Sequence, residues 1–458
     1  MKSMLKALSA VALTTVMVLP VLADDTTSDA NTDAKDQKDL KKVIEDQGIN
    51  YVETAQKGIT LSGYVDTSYT EQFGGTGTGF GNGQSALHQF DTNNNNFNLN
   101  AVKIALEKAL PDKNDWAAGF RIDTILGADA RYLGDSGFQV GSGTATRVGG
   151  SSFNVNGSGF ALEQALVKFR IPVGNGLDIY AGKFVTFLGY EVIESPANPN
   201  FSRGLLFTNA IPLTHTGVYA DYKFNDTFEG KFGVVDGWNS SVSNQSLNGV
   251  NGGVNNQTTG SDESFGGKAI TGQLNVNAPG KNANLTLSGI YSPQLDYNAV
   301  ESTPNGGNGN AYGGGVYVLD LWGNWTPTFD KSGNLTLGFN LDYGSDGYSW
   351  YGAALYAQYK LTKVITLAAR GEYLHEDAGA NKFGDDGYYQ VNNGTSGASD
   401  FKSADENDWE ETLTVSFAVW DNLLTRVEYR FDDIDGATNG TGRTSTQNEI
   451  SAEAVYSF

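Results

Sequence analysis

The chain has 458 residues, of which 39% are apolar; 58 are glycine and none is cysteine, and the formal charge is −22. Such a charge repels nucleic acid, which carries the same sign, and favours cations. The absence of cysteine excludes a disulfide framework and a thiolate metal site. The apolar content is too low for one large dry core, but it suits a β-barrel, where only every second strand residue meets lipid.

Lys2 and Lys6 precede an apolar run from Ala7 to Leu22, and Val21-Leu22-Ala23 offers small-residue cleavage before Asp24. Residues 1–23 therefore read as a secretory signal peptide. Without its two lysines the formal charge of −22 becomes −24. Met1, Met4 and Met17 are the only methionines, so the mature chain lacks readily oxidised sulfur. No later segment approaches the roughly 18 consecutive apolar residues of a spanning helix. An exported soluble protein or a membrane β-barrel remains.

Residues 24–58 are a polar leader, expected in the periplasm. Leu40, Val43, Ile44 and Gln47 share one helical face and Gly48 can end the turn. This is either a transient helix or one that docks at a barrel mouth.

From Ile59 the pattern has the period of two that marks strands. Ile59, Leu61, Val65 and Tyr69 alternate with Thr60, Ser62, Asp66 and Ser68. Leu335, Leu337, Phe339, Leu341 and Tyr343 alternate with Thr336, Gly338, Asn340 and Asp342. Leu423, Thr425, Val427, Tyr429 and Phe431 alternate with Leu424, Arg426, Glu428 and Arg430, and three charges in one spanning strand need a wet face. In the last strand Ile450, Ala452, Ala454, Tyr456 and Phe458 oppose Glu449, Ser451, Glu453, Val455 and Ser457.

The pattern predicts about sixteen strands, near 59–71, 96–109, 115–127, 159–171, 176–187, 213–224, 227–238, 265–277, 282–292, 315–326, 333–344, 348–360, 363–376, 408–420, 422–433 and 446–458. Each reaches the 9–11 residues of a tilted spanning strand. Short turns alternate with long Gly/Asn/Ser/Thr-rich loops at 72–95, 128–158, 188–212, 239–264, 293–314, 377–407 and 434–445, with one short outer connection at Ser345 to Gly347. This rule places the long loops on one rim, as in outer-membrane barrels. Trp116, Trp238, Trp322, Trp325, Trp350, Trp409 and Trp420 fall near strand ends, where interfacial girdles form.

Five stretches carry a resemblance: Ile59 to Thr67 (ITLSGYVDT), Ala181 to Glu191 (AGKFVTFLGYE), Asn200-Phe-Ser-Arg203, Thr214-His-Thr-Gly217 and Gly233-Val-Val-Asp-Gly-Trp238. They resemble the OmpL-like family of outer-membrane β-barrel porins over roughly residues 59–240. The resemblance implies a pore and names no solute. The aromatic ending at Tyr456 and Phe458 resembles the closing strand of bacterial outer-membrane barrels, which implies recognition by the barrel-insertion machinery.

No catalytic set stands out. His88 falls in a loop, His375 at a strand end and His215 where loop meets strand, with no serine or acid at a diagnostic spacing. Gly74 to Gly83 (GGTGTGFGNG) lacks the following helix of a dinucleotide loop. Asp432-Asp-Ile-Asp-Gly436 and Asp400 to Asp408 offer oxygen ligands, but neither keeps a calcium-loop spacing, so a loop-bound divalent cation is disfavoured.

The third long loop is the candidate site. If this loop folds into the barrel, Glu191, Glu194 and Arg203 are expected at a pore constriction, the glutamates facing the pore and Arg203 opposite; the alternative is a loop packed on the rim. Alternation points Asp66, Arg121, Asp123, Lys168, Arg170, Lys231, Arg370, Glu372, Arg426, Glu428 and Arg430 into the lumen. Lys183 shares a face with Ile179 and Val185, which calls for either a bulge or a different register there.

The expectation is therefore an all-β protein: a transmembrane antiparallel β-barrel of about sixteen strands over 59–458, with a short periplasmic leader. It would be a passive porin for small hydrophilic solutes and ions in the cell outer membrane, with lipid, the insertion machinery and a homo-oligomeric partner, no cofactor, no nucleic acid and no enzymatic activity. Alternatives are a substrate-specific channel, marked by inward tyrosines, and a plugged structural or adhesive barrel.

Overall fold

A computed structural model describes residues 58–76, 88, 90, 95–111, 113–133, 154–155, 158–237, 268–292, 316–345, 349–377, 406–436 and 443–458. The signal peptide, the leader up to residue 57, Trp238 and most of the glycine-rich stretch 74–83 lie outside these residues. Sixteen barrel strands are present among them: β1 (Ile59–Thr76), β2 (Asn96–Lys108), β3 (Ala117–Leu126), β4 (Ser158–Ile171), β5 (Leu177–Val185), β6 (Thr214–Lys223), β7 (Phe228–Val235), β8 (Ala269–Asn277), β9 (Ala283–Ser292), β10 (Val316–Trp325), β11 (Leu335–Ser345), β12 (Ser349–Lys360), β13 (Ile365–Glu376), β14 (Glu406–Trp420), β15 (Leu423–Gly436) and β16 (Arg443–Ser457). A two-residue strand, Asn154–Val155, pairs with the start of β4.

Each strand lies beside its sequence neighbours, and β1 pairs with both β2 and β16, so the sheet closes. The β1–β16 seam is antiparallel, with Val65 opposite Tyr456 and Thr67 opposite Ala454. Phe458 extends it by exchanging two backbone hydrogen bonds with Gly63, each 2.9 Å. Closure removes the unpaired edge that a strand in lipid could not satisfy.

Burial is inverted relative to a soluble protein. In β15, Val427 and Tyr429 are 45% and 39% exposed, whereas Arg426, Glu428 and Arg430 are at most 2% exposed. Leu355, Leu413, Phe232 and Leu319 likewise stand outward, while Asp342, Glu372, Glu410 and Glu453 are buried. The alternation follows from the pleat, which sends successive side chains to opposite faces.

One rim carries the short turns. In the turn before β11, the Asp330 carboxylate accepts from the Asn334 and Leu335 N–H groups, both at 2.7 Å, and from the Ser332 hydroxyl. These donors, the Ser332 hydroxyl foremost, hold its carboxyl below the usual carboxylate range. The other rim carries the longer connections.

Three features depart from simple alternation. A bulge falls in β4: Asp123 pairs with Gln164 but Thr124 with Leu162, leaving Glu163 as the extra residue, and Glu163 and Gln164 are both buried. Lys183 follows Gly182, whose φ is +137°, and its ammonium donates to the Leu133 carbonyl at 3.2 Å. Trp322 and Trp350 point into the lumen instead of joining the girdle, whereas Trp116, Trp325, Trp409 and Trp420 are exposed near strand ends. The acidic stretch Asp432 to Gly436, expected as a loop, continues strand β15.

Candidate functional site

The connection between β5 and β6, residues 186–213, is folded into the barrel, and every residue from 201 to 215 is buried. It contains a 3-10 turn at Ser195–Ala197 and a five-residue helix, α1 (Leu205–Asn209). An irregular segment removed from water has backbone groups that need partners. Here the inward side chains of the wall supply them.

The wall carboxylates take the N–H groups. Glu428 accepts from Phe201 and Ser202 at 2.6 and 2.9 Å. Glu372 accepts from Leu205 and, at 3.3 Å, from Leu206, capping the N-terminal end of α1 in place of a local side chain. Negative charge is favourable at that end of a helix. The approach requires Gly204, because a Cβ there would lie 2.2 Å from the Glu372 carboxylate oxygens.

The wall donors take the carbonyls. Arg426 donates to Asn198 and Asn200, both at 2.9 Å, and Arg370 to Ser202 at 2.7 Å. Trp350 donates to Ala210 at 3.2 Å, and on the other side of the lumen Gln273 and Ser288 donate to Phe187 at 2.8 and 2.9 Å. Asn340 accepts from the Tyr190 N–H at 2.6 Å. The loop is thus attached to β8, β9, β11, β12, β13 and β15. Charge-assisted bonds of this kind are stronger than neutral ones and fix geometry.

Apolar contacts reinforce the attachment. Leu205, Leu206, Phe207, Ala210 and Ile211 join Trp350, Tyr356 and Leu374 in one cluster, so the dry core lies between loop and wall. Tyr190 stacks on Tyr356 at 4.2 Å and meets Trp322 edge-on at 5.9 Å. Tyr180 and Tyr219 stack at 4.5 Å, with Phe184 and Phe187 against Tyr219.

Glu191, Glu194 and Arg203 are 3%, 5% and 2% exposed. Glu191 holds Arg370 at 2.7 Å and the Gly204 N–H at 2.7 Å. Glu194 meets the Lys103 ammonium, which also lies 2.7 Å from Glu163 and 3.3 Å from Asp123. Arg203 lies over the Phe90 ring at 4.6 Å, bonds the Ile193 carbonyl and sits 3.5 Å from Asp129. The structure therefore places these three charges in loop attachments, whereas the sequence reading expects the glutamates at a constriction facing the pore with Arg203 opposite. The reason is local charge: the inward-facing Arg370 and Lys103 attract the two glutamates to the wall.

The alternation residues fall into three groups. Arg370, Glu372, Arg426 and Glu428 hold the loop. Asp66 accepts from Asn100 at 2.9 Å, Arg121 grips Asp123 at 2.7–2.9 Å, Lys168 pairs with Glu107, and Arg430 bridges Asp432 and Glu449 at 3.1 Å each. Arg170 and Lys231 belong to a half-buried row that crosses β4 to β7. There Arg170 pairs with Asp178 at 2.6 Å, Asp178 is opposite Asp221, and Asp221 is opposite Lys231.

Sequence reasoning missed Lys103, Glu163, Glu410 and the lumenal place of His88, and it placed Glu453 on the wet face of the last strand without a role. Lys103 and Glu107 alternate with Val102, Ile104 and Leu106, a signal that was available. His88 carried none: it lies in a loop by sequence yet is buried in the lumen. His215 is fully buried and bonds Thr186 at 3.2 Å, and His375 bonds Asn407 at 2.9 Å.

The family model described as "Putative beta-barrel porin-2, OmpL-like" matches residues 58–458. No curated protein matches the chain significantly. Among solved structures, OprB of Pseudomonas putida is similar at 14% identity, covering 92% of this chain and 97% of its own, with a TM-score of 0.52. The outer membrane channel DcaP of Acinetobacter baumannii is similar at 11% identity, covering 88% and 99%, with a TM-score of 0.50. Both likenesses show the sixteen-stranded porin fold. The chain belongs to the OmpL-like β-barrel porin family and is a porin of the bacterial outer membrane. This family and fold are typical of non-enzymatic channels.

Proposed function

We propose that this OmpL-like porin is a passive, non-enzymatic channel for small hydrophilic solutes and ions, with residues 186–213 as its constriction. The observation that carries this reading is the attachment of that loop's backbone to inward side chains on both sides of the lumen. A loop held this way narrows the passage and fixes charge beside it, which selects among ions and solutes. Because Glu191, Glu194 and Arg203 are engaged in attachment, they set the position of the constriction, and the half-buried row Arg170, Asp178, Asp221 and Lys231 is the charged surface that a solute meets. The remaining lining charges act on the local field around the loop.

The cleaved signal at 1–23, the periplasmic leader at 24–58, delivery through Tyr456 and Phe458, and assembly into a homo-oligomer belong to the same proposal. The acidic chain should favour cations modestly, and 1 M salt should weaken this because the Debye length there is about 3 Å.

Single cysteines test the reading. At Asp221 and Lys231 they should react rapidly with charged thiol reagents and lower the conductance. At Glu428, beneath the loop, reaction should be slow until the loop is shortened, and shortening should raise the conductance. Fast reaction at Glu428 in the intact protein places the loop elsewhere. The stacked pair Tyr180 and Tyr219 favours a second reading, a substrate-specific channel, which saturable conductance would reveal. An absence of conductance would point to a plugged surface barrel.

A further inference from the structure

His88 reaches the inner wall between two carboxylates. Its Nδ1 lies 3.0 Å from the Arg203 carbonyl oxygen. A carbonyl only accepts, so Nδ1 carries a proton. Its Nε2 lies 3.1 Å from Asp432 Oδ1 and 3.8 Å from Glu410 Oε2. Ionised carboxylates also only accept, so either a proton, on the ring or on a carboxyl, or a metal ion stands between Nε2 and these oxygens.

Three observations favour the metal. Among the described residues Glu410 Oε2 is buried and without a hydrogen-bond partner, and together with His88 and Asp432 it can present three ligand atoms within 4.8 Å of one another. The other oxygen of each carboxylate is already oriented: Arg370 Nε holds Glu410 Oε1 at 2.8 Å, and Arg430 Nε holds Asp432 Oδ2 at 3.1 Å. A ring N–H on a backbone carbonyl and ligand carboxylates fixed by hydrogen bonds are the usual outer support of a metal site.

Charge points the same way. Arg370 is shared by Glu191 and Glu410, and Arg430 by Asp432 and Glu449. Four carboxyl groups thus face two guanidiniums, which leaves two of them without a cation when all four are ionised. Arg203 contributes its carbonyl here, while its guanidinium is directed to Asp129 and Phe90.

We propose that His88 Nε2, Glu410 Oε2 and Asp432 Oδ1 bind one divalent first-row transition ion inside the lumen. An imidazole with two carboxylates suits a zinc-like ion better than the all-oxygen shells of calcium or magnesium. Three protein ligands leave a position for water or a solute. The ion would join His88 to β14 and β15 and, through the Arg203 carbonyl, to the constriction loop. The site depends on this local geometry and not on whether the pore conducts.

The test uses the full chain folded in detergent, stripped with a chelator and titrated with Zn²⁺ by calorimetry, with bound metal measured after dialysis. The wild type should take up one tight equivalent. His88→Ala and Asp432→Asn should each lose that equivalent while retaining heat-modifiable migration, and Glu410→Gln, which keeps the side-chain shape, should lose it too. Weak binding by surface acids would persist in all four proteins. If the wild type takes up no tight equivalent, a proton bridges His88 and the carboxyl groups and the proposal fails. It fails equally if folded His88→Ala retains the equivalent.

Discussion

Arg370 of β13 and Glu191 of the inward loop stand 179 positions apart in sequence and meet at 2.7 Å, with neither side chain reaching solvent. The same guanidinium holds Glu410 and the Ser202 carbonyl. Removing it strands two carboxylates, and breaking a buried pair costs about 3–5 kcal/mol. Arg370→Ala should therefore lower the thermal midpoint, raise single-channel conductance and add current noise as the loop loosens. Wild-type conductance and midpoint in that variant would mean that the loop is held by other contacts.

The seam gives a second prediction. Gly63 exchanges backbone hydrogen bonds with Phe458, and a Cβ at Gly63 would lie 2.1 Å from the Lys103 carbonyl oxygen. Tyr456 and Phe458 are half-exposed on the outer face. Gly63→Val should hinder closure, and Tyr456→Asp with Phe458→Asp should place charge toward lipid at a seam that must close. Both proteins should accumulate as degraded periplasmic species. Wild-type yields of heat-modifiable barrel in the outer membrane would contradict this.

The wall was more legible in the sequence than the loop, for a physical reason. Alternation is local, so Arg426, Val427, Glu428, Tyr429 and Arg430 declare their faces without knowledge of anything else. The burial of Trp350 and Trp322 depends on what fills the lumen, and their position near strand ends matched a girdle equally well. Glu191 and Glu194 could be recognised as the charges of an inward loop, but their partners Arg370 and Lys103 lie on distant strands. His88 was unreadable because its neighbours Glu410 and Asp432 come together only when the barrel closes. The Lys183 irregularity was visible as a broken pattern, and the bulge at Glu163 lies on the adjoining strand.

Asp330 supplies a pH dependence outside the lumen. Its carboxyl is held below the usual range by the Ser332 hydroxyl and by backbone N–H groups. A depressed carboxyl contributes stability above its unfolded value, and that contribution is lost as the pH falls through the folded value. At neutral pH Asp330→Asn should therefore speed hydrogen exchange at Asn334 and Leu335 relative to wild type. The difference should vanish once acid protonates Asp330 in the wild type. A difference that persists in acid would indicate that shape, not charge, stabilises the turn.

Lys103 provides the last prediction. Its ammonium is the cation set among Asp123, Glu163 and Glu194, whose oxygens lie within 4.8 Å of one another. The site is not empty of charge in the wild type, because the lysine occupies the position an ion would take. Lys103→Ala removes that cation and leaves three buried carboxylates facing each other, of which, among the described residues, Asp123 alone retains a bound arginine, Arg121. Leaving buried charge uncompensated costs about 3–5 kcal/mol, so the variant should unfold at a lower temperature than wild type. Three carboxylates around a space vacated by an ammonium are hard oxygen ligands of the kind calcium takes. Millimolar Ca²⁺ should therefore restore much of the lost midpoint in Lys103→Ala, while shifting the wild type little, since only surface acids respond there. Lys103→Arg should keep the midpoint closer to wild type without added ion. Equal Ca²⁺ shifts in Lys103→Ala and wild type would show that the three carboxylates do not form an ion site once the lysine is gone, and an unchanged midpoint in Lys103→Ala without added ion would show that Lys103 does not hold Glu194 and the constriction loop to β2.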